Sequence, residues 1–128
     1  MQIIGLVLAG VAAGIHVYIF ALESLWWTTP RARNVFGTSA EEAAATREMA
    51  FNQGFYNLFL AIIVALGIAL FAWGWRTVGS TLVFAGAGSM VAAGAVLALS
   101  SPDKLRAALV QASPPLLGVL LFGLGLAT

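Results

Sequence analysis

Four stretches of the chain are almost free of polar side chains, and the polar residues fall in short clusters between and within them. The apolar stretches cover about residues 3–27, 49–75, 81–99 and 109–127. A helix needs roughly 20 apolar residues to cross a hydrocarbon core of ~30 Å, and each stretch is near that length. Inside lipid a helix satisfies its backbone hydrogen bonds internally, so the stretches read as helices. The pattern predicts an all-α, polytopic membrane four-helix bundle, a single transmembrane domain over residues 1–128. Ser113-Pro114-Pro115 falls inside the last stretch. Proline sits best in the first turn of a helix, so a kinked or frayed start is expected before these prolines.

The connections are short except the first. Residues 28–48 hold Arg31, Arg33, Glu41, Glu42, Arg47 and Glu48, with Thr28-Thr29-Pro30 closing the first span. Ser39 followed by Glu42 fits a capping box, so a short helix is predicted from near residue 40, running into the second span. Arg76 to Ser80 and Ser100 to Lys104 form the other links. The first and third connections carry five basic residues (Arg31, Arg33, Arg47, Lys104, Arg106) against Arg76 alone on the opposite side. The positive-inside rule then makes both loops cytoplasmic and both termini external. Trp26-Trp27 and Trp73 with Trp75 are expected at opposite interfaces, where amphipathic rings settle.

Composition agrees with lipid as the solvent. Hydrophobic residues make up 61% of the chain and charged residues 9%, where a soluble domain carries about 25% charged. The absence of cysteine excludes disulfides, thiolate metal sites and cysteine nucleophiles. A formal net charge of +1 gives no footprint for nucleic acid. The first span lacks the basic region and small-residue cleavage site of a secretory signal, so it is expected to be retained. Gly10 with Gly14, Ala61-Ala65-Ala69 and Ala85-Ser89-Ala93 place small residues at every fourth position. Such stripes let helix backbones approach, and packing within the chain is their expected use; a homo-oligomer face is the alternative.

Two ionisable residues, His16 and Glu23, stand in the first span. Ionisable groups at bilayer depth are costly and by default mark a buried functional group with a partner. They lie two turns apart and project from one face of a regular helix, together with Phe20 and Trp27. The second span opens with Asn52-Gln53-Gly54-Phe55-Tyr56-Asn57. At ~1.5 Å per residue, Glu23 lies ~6 Å inside its helix end and His16 ~16 Å inside. Gln53 returns at the depth of Glu23. His16, Glu23, Gln53, Tyr56 and Asn57 are therefore expected to line one cytoplasm-facing cavity, with Asn52 at its rim and Phe20, Trp27 and Tyr56 as aromatic walls. Gln111, Ser113, Ser100 and Ser101 approach from the same side. One histidine and one nearby carboxylate are too few for a closed metal site, and no cofactor is implied.

His16, Phe20, Glu23 and Trp26, then Thr29-Pro30-Arg31 and Phe36, then Asn52-Gln53-Gly54, Tyr56-Asn57 and Leu60-Ala61 form an ordered pattern. The chain resembles domain-of-unknown-function family 1304 in these residues, and the resemblance covers nearly its whole length. It implies a small four-helix protein of the bacterial inner membrane and points at these side chains. It supplies no reaction.

Three functions fit the residues. The first is binding of a small amphiphilic or lipid-like ligand from the cytoplasmic leaflet, compatible with acid–base chemistry by Glu23 and His16. The second is proton-coupled transport by an oligomer, in which a carboxylate is shared between a proton and a cationic substrate. The third is an accessory subunit whose small-residue stripes pack against a larger membrane complex. Arg31 and Arg33 read as topology determinants, with a lipid phosphate as their other use.

Overall fold

A computed structural model describes residues 1–128, and the chain is helical almost throughout. Helix α1 (Gln2–Phe20) continues into a π-helical turn, Ala21–Leu25. Two short helices come next, α2 (Pro30–Phe36) and α3 (Ala40–Ala45). Three long helices complete the chain: α4 (Arg47–Ala72), α5 (Arg76–Ser100) and α6 (Leu105–Ala127), with a 3₁₀ turn at Pro102–Lys104 before α6. Four segments, Gln2–Leu25, Arg47–Ala72, Arg76–Ser100 and Pro102–Ala127, are long and apolar enough to cross a membrane. The protein is thus a four-helix membrane bundle.

The four helices form a ring. Helix α1 packs on α4 and α6, α5 packs on the same two helices, and α1 and α5 face each other across the diagonal. The core is made of small side chains around a few large ones. Ala9, Ala12 and Ala13 of α1 meet Ala61 and Val64 of α4, Val83, Ala87 and Met90 of α5, and Phe122 of α6. Phe122 is fully buried, with its ring 5.1 Å from Phe71 and 5.3 Å from Phe84. Lipid tails are as apolar as these side chains, so close packing rather than escape from water holds the ring together.

That packing keeps Ala61 of the expected stripes, but its closest helix contacts fall at other small residues. A methyl group at Gly5 would overlap the Phe122 backbone, and one at Gly79 the Phe71 backbone, so at these positions two helices touch main chain to main chain. Gly14, by contrast, has open space beside it, and Ala65, Ala85, Ser89 and Ala93 are exposed. The contact lines alternate steps of three and four, as in Gly5-Ala9-Ala12-His16 and Gly79-Val83-Gly86-Met90. At 100° per residue a strict step of four turns about 40° further around the helix each time, and the expected stripes rotate away from their neighbours.

Three local expectations also change. Helix α6 is continuous through Pro114 and Pro115 rather than frayed before them. Ser113 lies one residue upstream and donates its hydroxyl to the Leu109 carbonyl at 2.6 Å. Pro115 is buried among the neighbouring helices, whose packing compensates for lost backbone bonds. The loop holds two short helices rather than one. Thr29 caps α2 with Pro30 in its first turn, and Gly37 ends it in the left-handed conformation at φ 66°. The Ser39–Glu42 capping box starts α3 as expected, but Thr46 separates α3 from α4.

Candidate functional site

The π-helical turn at the end of α1 is the feature that positions the site. Trp26 N–H reaches the Ala21 carbonyl five residues back at 2.9 Å, which widens the helix over Ala21–Leu25. Such bulges are frequent at functional sites. The widened turn lies directly on the start of α4. Ser24 donates its hydroxyl to the Phe51 carbonyl at 2.8 Å, and Gly54 leaves the space in which the Ser24 side chain and the Glu23 Cβ sit. Glu23 then meets Asn57, whose Nδ2 donates to its Oε2 at 2.7 Å. The same Nδ2 lies 3.3 Å from the Gln53 carbonyl, which fixes the direction of the amide.

Outward from Glu23 lies a cleft of about 480 Å³. Its walls come from four places in the chain: Glu23 and Trp27 after α1; Gly37, Thr38, Glu42 and Thr46 in the first loop; Met49, Ala50 and Gln53 in α4; and Asp103-Lys104. Both loops therefore lie at one end of the bundle. The Trp27 indole is held on two sides, donating Nε1–H to Thr46 Oγ1 at 3.1 Å and packing on Phe36 at 5.2 Å. Thr46 in turn donates to the Glu42 carbonyl at 2.6 Å. Thr38 Oγ1, on the cleft wall, is buried without a hydrogen-bond partner. Three carboxyl groups (Glu23, Glu42, Asp103) and the ammonium of Lys104 line the cleft, among the apolar surfaces of Trp27, Met49 and Ala50.

A family model described as protein of unknown function (DUF1304) matches residues 10–122. The chain belongs to this family. No curated protein and no solved structure matches it.

In this family member the expected cavity residues divide into two groups. Glu23, Trp27 and Gln53 line the cleft, and Asn57 stands behind Glu23 as its hydrogen-bond donor. The others lie elsewhere. His16 is 1% exposed and points into the bundle, its Nδ1 2.8 Å from the carbonyl of Ala12 in its own helix. Phe20 packs edge-on against Phe55 at 5.1 Å, in an aromatic row with Phe51 and Phe59. Tyr56, 65% exposed, and Asn52, also exposed, are not among the residues that line the cleft.

The reason is the orientation of α4. Its buried positions are Ala50, Gly54, Ala61, Val64, Gly67 and Phe71, and Gln53 and Asn57 flank that line. Asn52 and Tyr56 are one residue further round and point outward. The i, i+4 spacing pairs each couple correctly but does not put both couples on one side. Gln111, Ser100, Ser101 and Ser113 do not line the cleft either.

The loop residues Gly37, Thr38, Glu42, Thr46, Asp103 and Lys104 and the α4 residues Met49 and Ala50 complete the wall, and sequence reasoning misses them. The capping box at Ser39–Glu42 is the one signal for any of them, because it fixes a loop carboxylate near the start of α4.

Proposed function

We propose that the protein binds a small amphiphile at the loop end of its bundle, with the polar head in the cleft against Glu23. The observation that carries this is the convergence of Glu23, Gln53 and Trp27 on one cleft at the membrane end. A space of about 480 Å³ is of the size that small-molecule sites occupy, and apolar walls with a few directed polar groups are their usual form. Carboxyl groups outnumber the one ammonium, which favours a head that donates hydrogen bonds or carries positive charge. Binding centres on Glu23 alone, because His16 lies outside the cleft. The basic residues of residues 28–48 and 101–106 support a cytoplasmic position for the cleft, in a bacterial inner membrane with external termini.

The test uses dodecylamine as the probe, with the purified protein in lipid nanodiscs. Saturable binding is expected, absent for dodecanol and lost in Glu23→Gln, which keeps the shape of the side chain and its Asn57 bond. Equal binding by Glu23→Gln, or by dodecanol, would remove Glu23 from the site. A second reading draws on the outward small-residue face of α5, Ala85, Ser89 and Ala93, which suits contact with a helix of a larger complex. Site-directed cross-linking from Ser89 in native membranes tests it, and capture of no partner rejects it.

A further inference from the structure

We infer that Arg31 and Tyr18 form a clamp for the phosphate of an anionic phospholipid, on the outer surface of the bundle. Tyr18 belongs to α1, eight residues before Trp26, or ~12 Å along the helix toward the bilayer centre. It is 39% exposed beside Val17, which is 46% exposed, so this face of a membrane-crossing helix meets lipid. Arg31 stands in the first turn of α2, yet its side chain reaches back to Tyr18. Its Nε donates to the Tyr18 hydroxyl at 3.0 Å, and its guanidinium lies 5.5 Å from the Tyr18 ring centre. Long basic side chains normally extend away from the hydrocarbon toward water. This one is turned toward it.

The chemistry left over defines the ligand. A guanidinium is charged at every accessible pH, and charge beside lipid requires a counter-charge. The Tyr18 bond takes up Nε and leaves the two Nη groups as a planar fork, the geometry that grips two oxygens of a phosphate. The Tyr18 hydroxyl accepts from Nε and keeps its own proton to donate, so a third donor points at the same oxygens. Helix α2 carries Arg31 and Arg33 and no acid, and Trp26, 41% exposed, offers an indole at the depth of headgroups. A phosphodiester without a compensating ammonium suits this surface better than a zwitterionic headgroup does. The site is separate from the cleft, on whose wall neither residue stands.

The test is native mass spectrometry of the full-length protein, delipidated and then incubated with mixed micelles of phosphatidylglycerol and phosphatidylcholine. The wild type is expected to retain phosphatidylglycerol selectively. Arg31→Ala should lower retention about fivefold, the effect of one basic side chain at an anionic surface. Tyr18→Phe should also lower it while leaving every charge in place, and this variant decides the matter if Arg31→Ala does not fold. Arg31→Lys should fail to restore it, having no fork. Arg76→Ala, at the opposite end of the bundle, should match the wild type. Unchanged retention in Tyr18→Phe, or equal retention of phosphatidylcholine, overturns the clamp. Displacement of the lipid by millimolar inorganic phosphate would assign the site to a free anion and overturn the lipid.

Discussion

Gly54→Ala perturbs the single point on which the position of Glu23 depends. In an unobstructed helix interior this change stabilises by roughly 0.8–1 kcal/mol, because alanine is the better helix former. Here the new methyl group would overlap Ser24 Oγ, and would lie 3.0 Å from the Ser24 nitrogen and 3.1 Å from the Glu23 Cβ. The hydroxyl must then leave the Phe51 carbonyl. An interhelical bond of that kind in a membrane contributes roughly 0.6–2 kcal/mol. Overpacking adds about 1–3 kcal/mol. Less the gain in helix propensity, Gly54→Ala should destabilise the fold by about 1–4 kcal/mol.

Ser24→Ala alone should cost about 1 kcal/mol, the lost hydrogen bond. With Oγ removed, the nearest remaining contacts are those at 3.0 and 3.1 Å, which a shift of a few tenths of an ångström relieves. Gly54→Ala should therefore be within ~1 kcal/mol of neutral in the Ser24→Ala background, a coupling of about 1–3 kcal/mol between contacting residues. Unfolding by sodium dodecyl sulfate in mixed micelles, monitored by far-ultraviolet circular dichroism, measures all four corners of the cycle. Dodecylamine binding should keep the same order, weakest in Gly54→Ala and partly restored in the double variant. An equal cost of Gly54→Ala in both backgrounds would refute the reasoning, since the glycine would then accommodate something other than the serine.

Asn57→Leu removes the donor that orients Glu23, and should weaken dodecylamine binding several-fold in a nanodisc titration while leaving the helix content unchanged; undiminished affinity would show that the carboxylate orients itself. Cysteine at the exposed loop position Ala40 should react with an impermeant maleimide only after cells are opened, and cysteine at exposed Thr77 should react in intact cells; the reverse pattern inverts the topology. Phe122→Ala empties the fully buried site between Phe71 and Phe84 and should cost on the order of 2 kcal/mol, less than the ~3–5 kcal/mol of a water-soluble core, because the unfolded reference in lipid keeps the ring out of water. A loss of about 5 kcal/mol or more on the same detergent scale would contradict that account of the driving force.

The four spans were legible because lipid imposes a coarse, additive demand: length and hydropathy suffice, and neither depends on what a helix touches. Caps were legible for a related reason, being local. The Ser39–Glu42 box announced α3, and Thr29-Pro30 with Gly37 announces α2 equally well once read as a cap, a first-turn proline and a left-handed stop. Facing was not legible, because it is decided between helices. Strict four-residue stripes drift off a contact line that alternates three and four, and the same arithmetic separates Gln53 and Asn57 from Asn52 and Tyr56. The pairing of His16 with Glu23 rested on a regular helix, in which seven residues return to almost the same direction. The π-helical turn from Ala21 ends that regularity between them. An inserted residue rotates the later side chains about 100° around the axis. His16 therefore stays on the core line with Ala9 and Ala12, while Glu23 turns onto Asn57 and the cleft. Nothing in residues 21–25 specifies a wide turn by itself. Its support lies on the opposing helix, where Gly54 makes room for the Ser24 side chain and the Phe51 carbonyl bonds it.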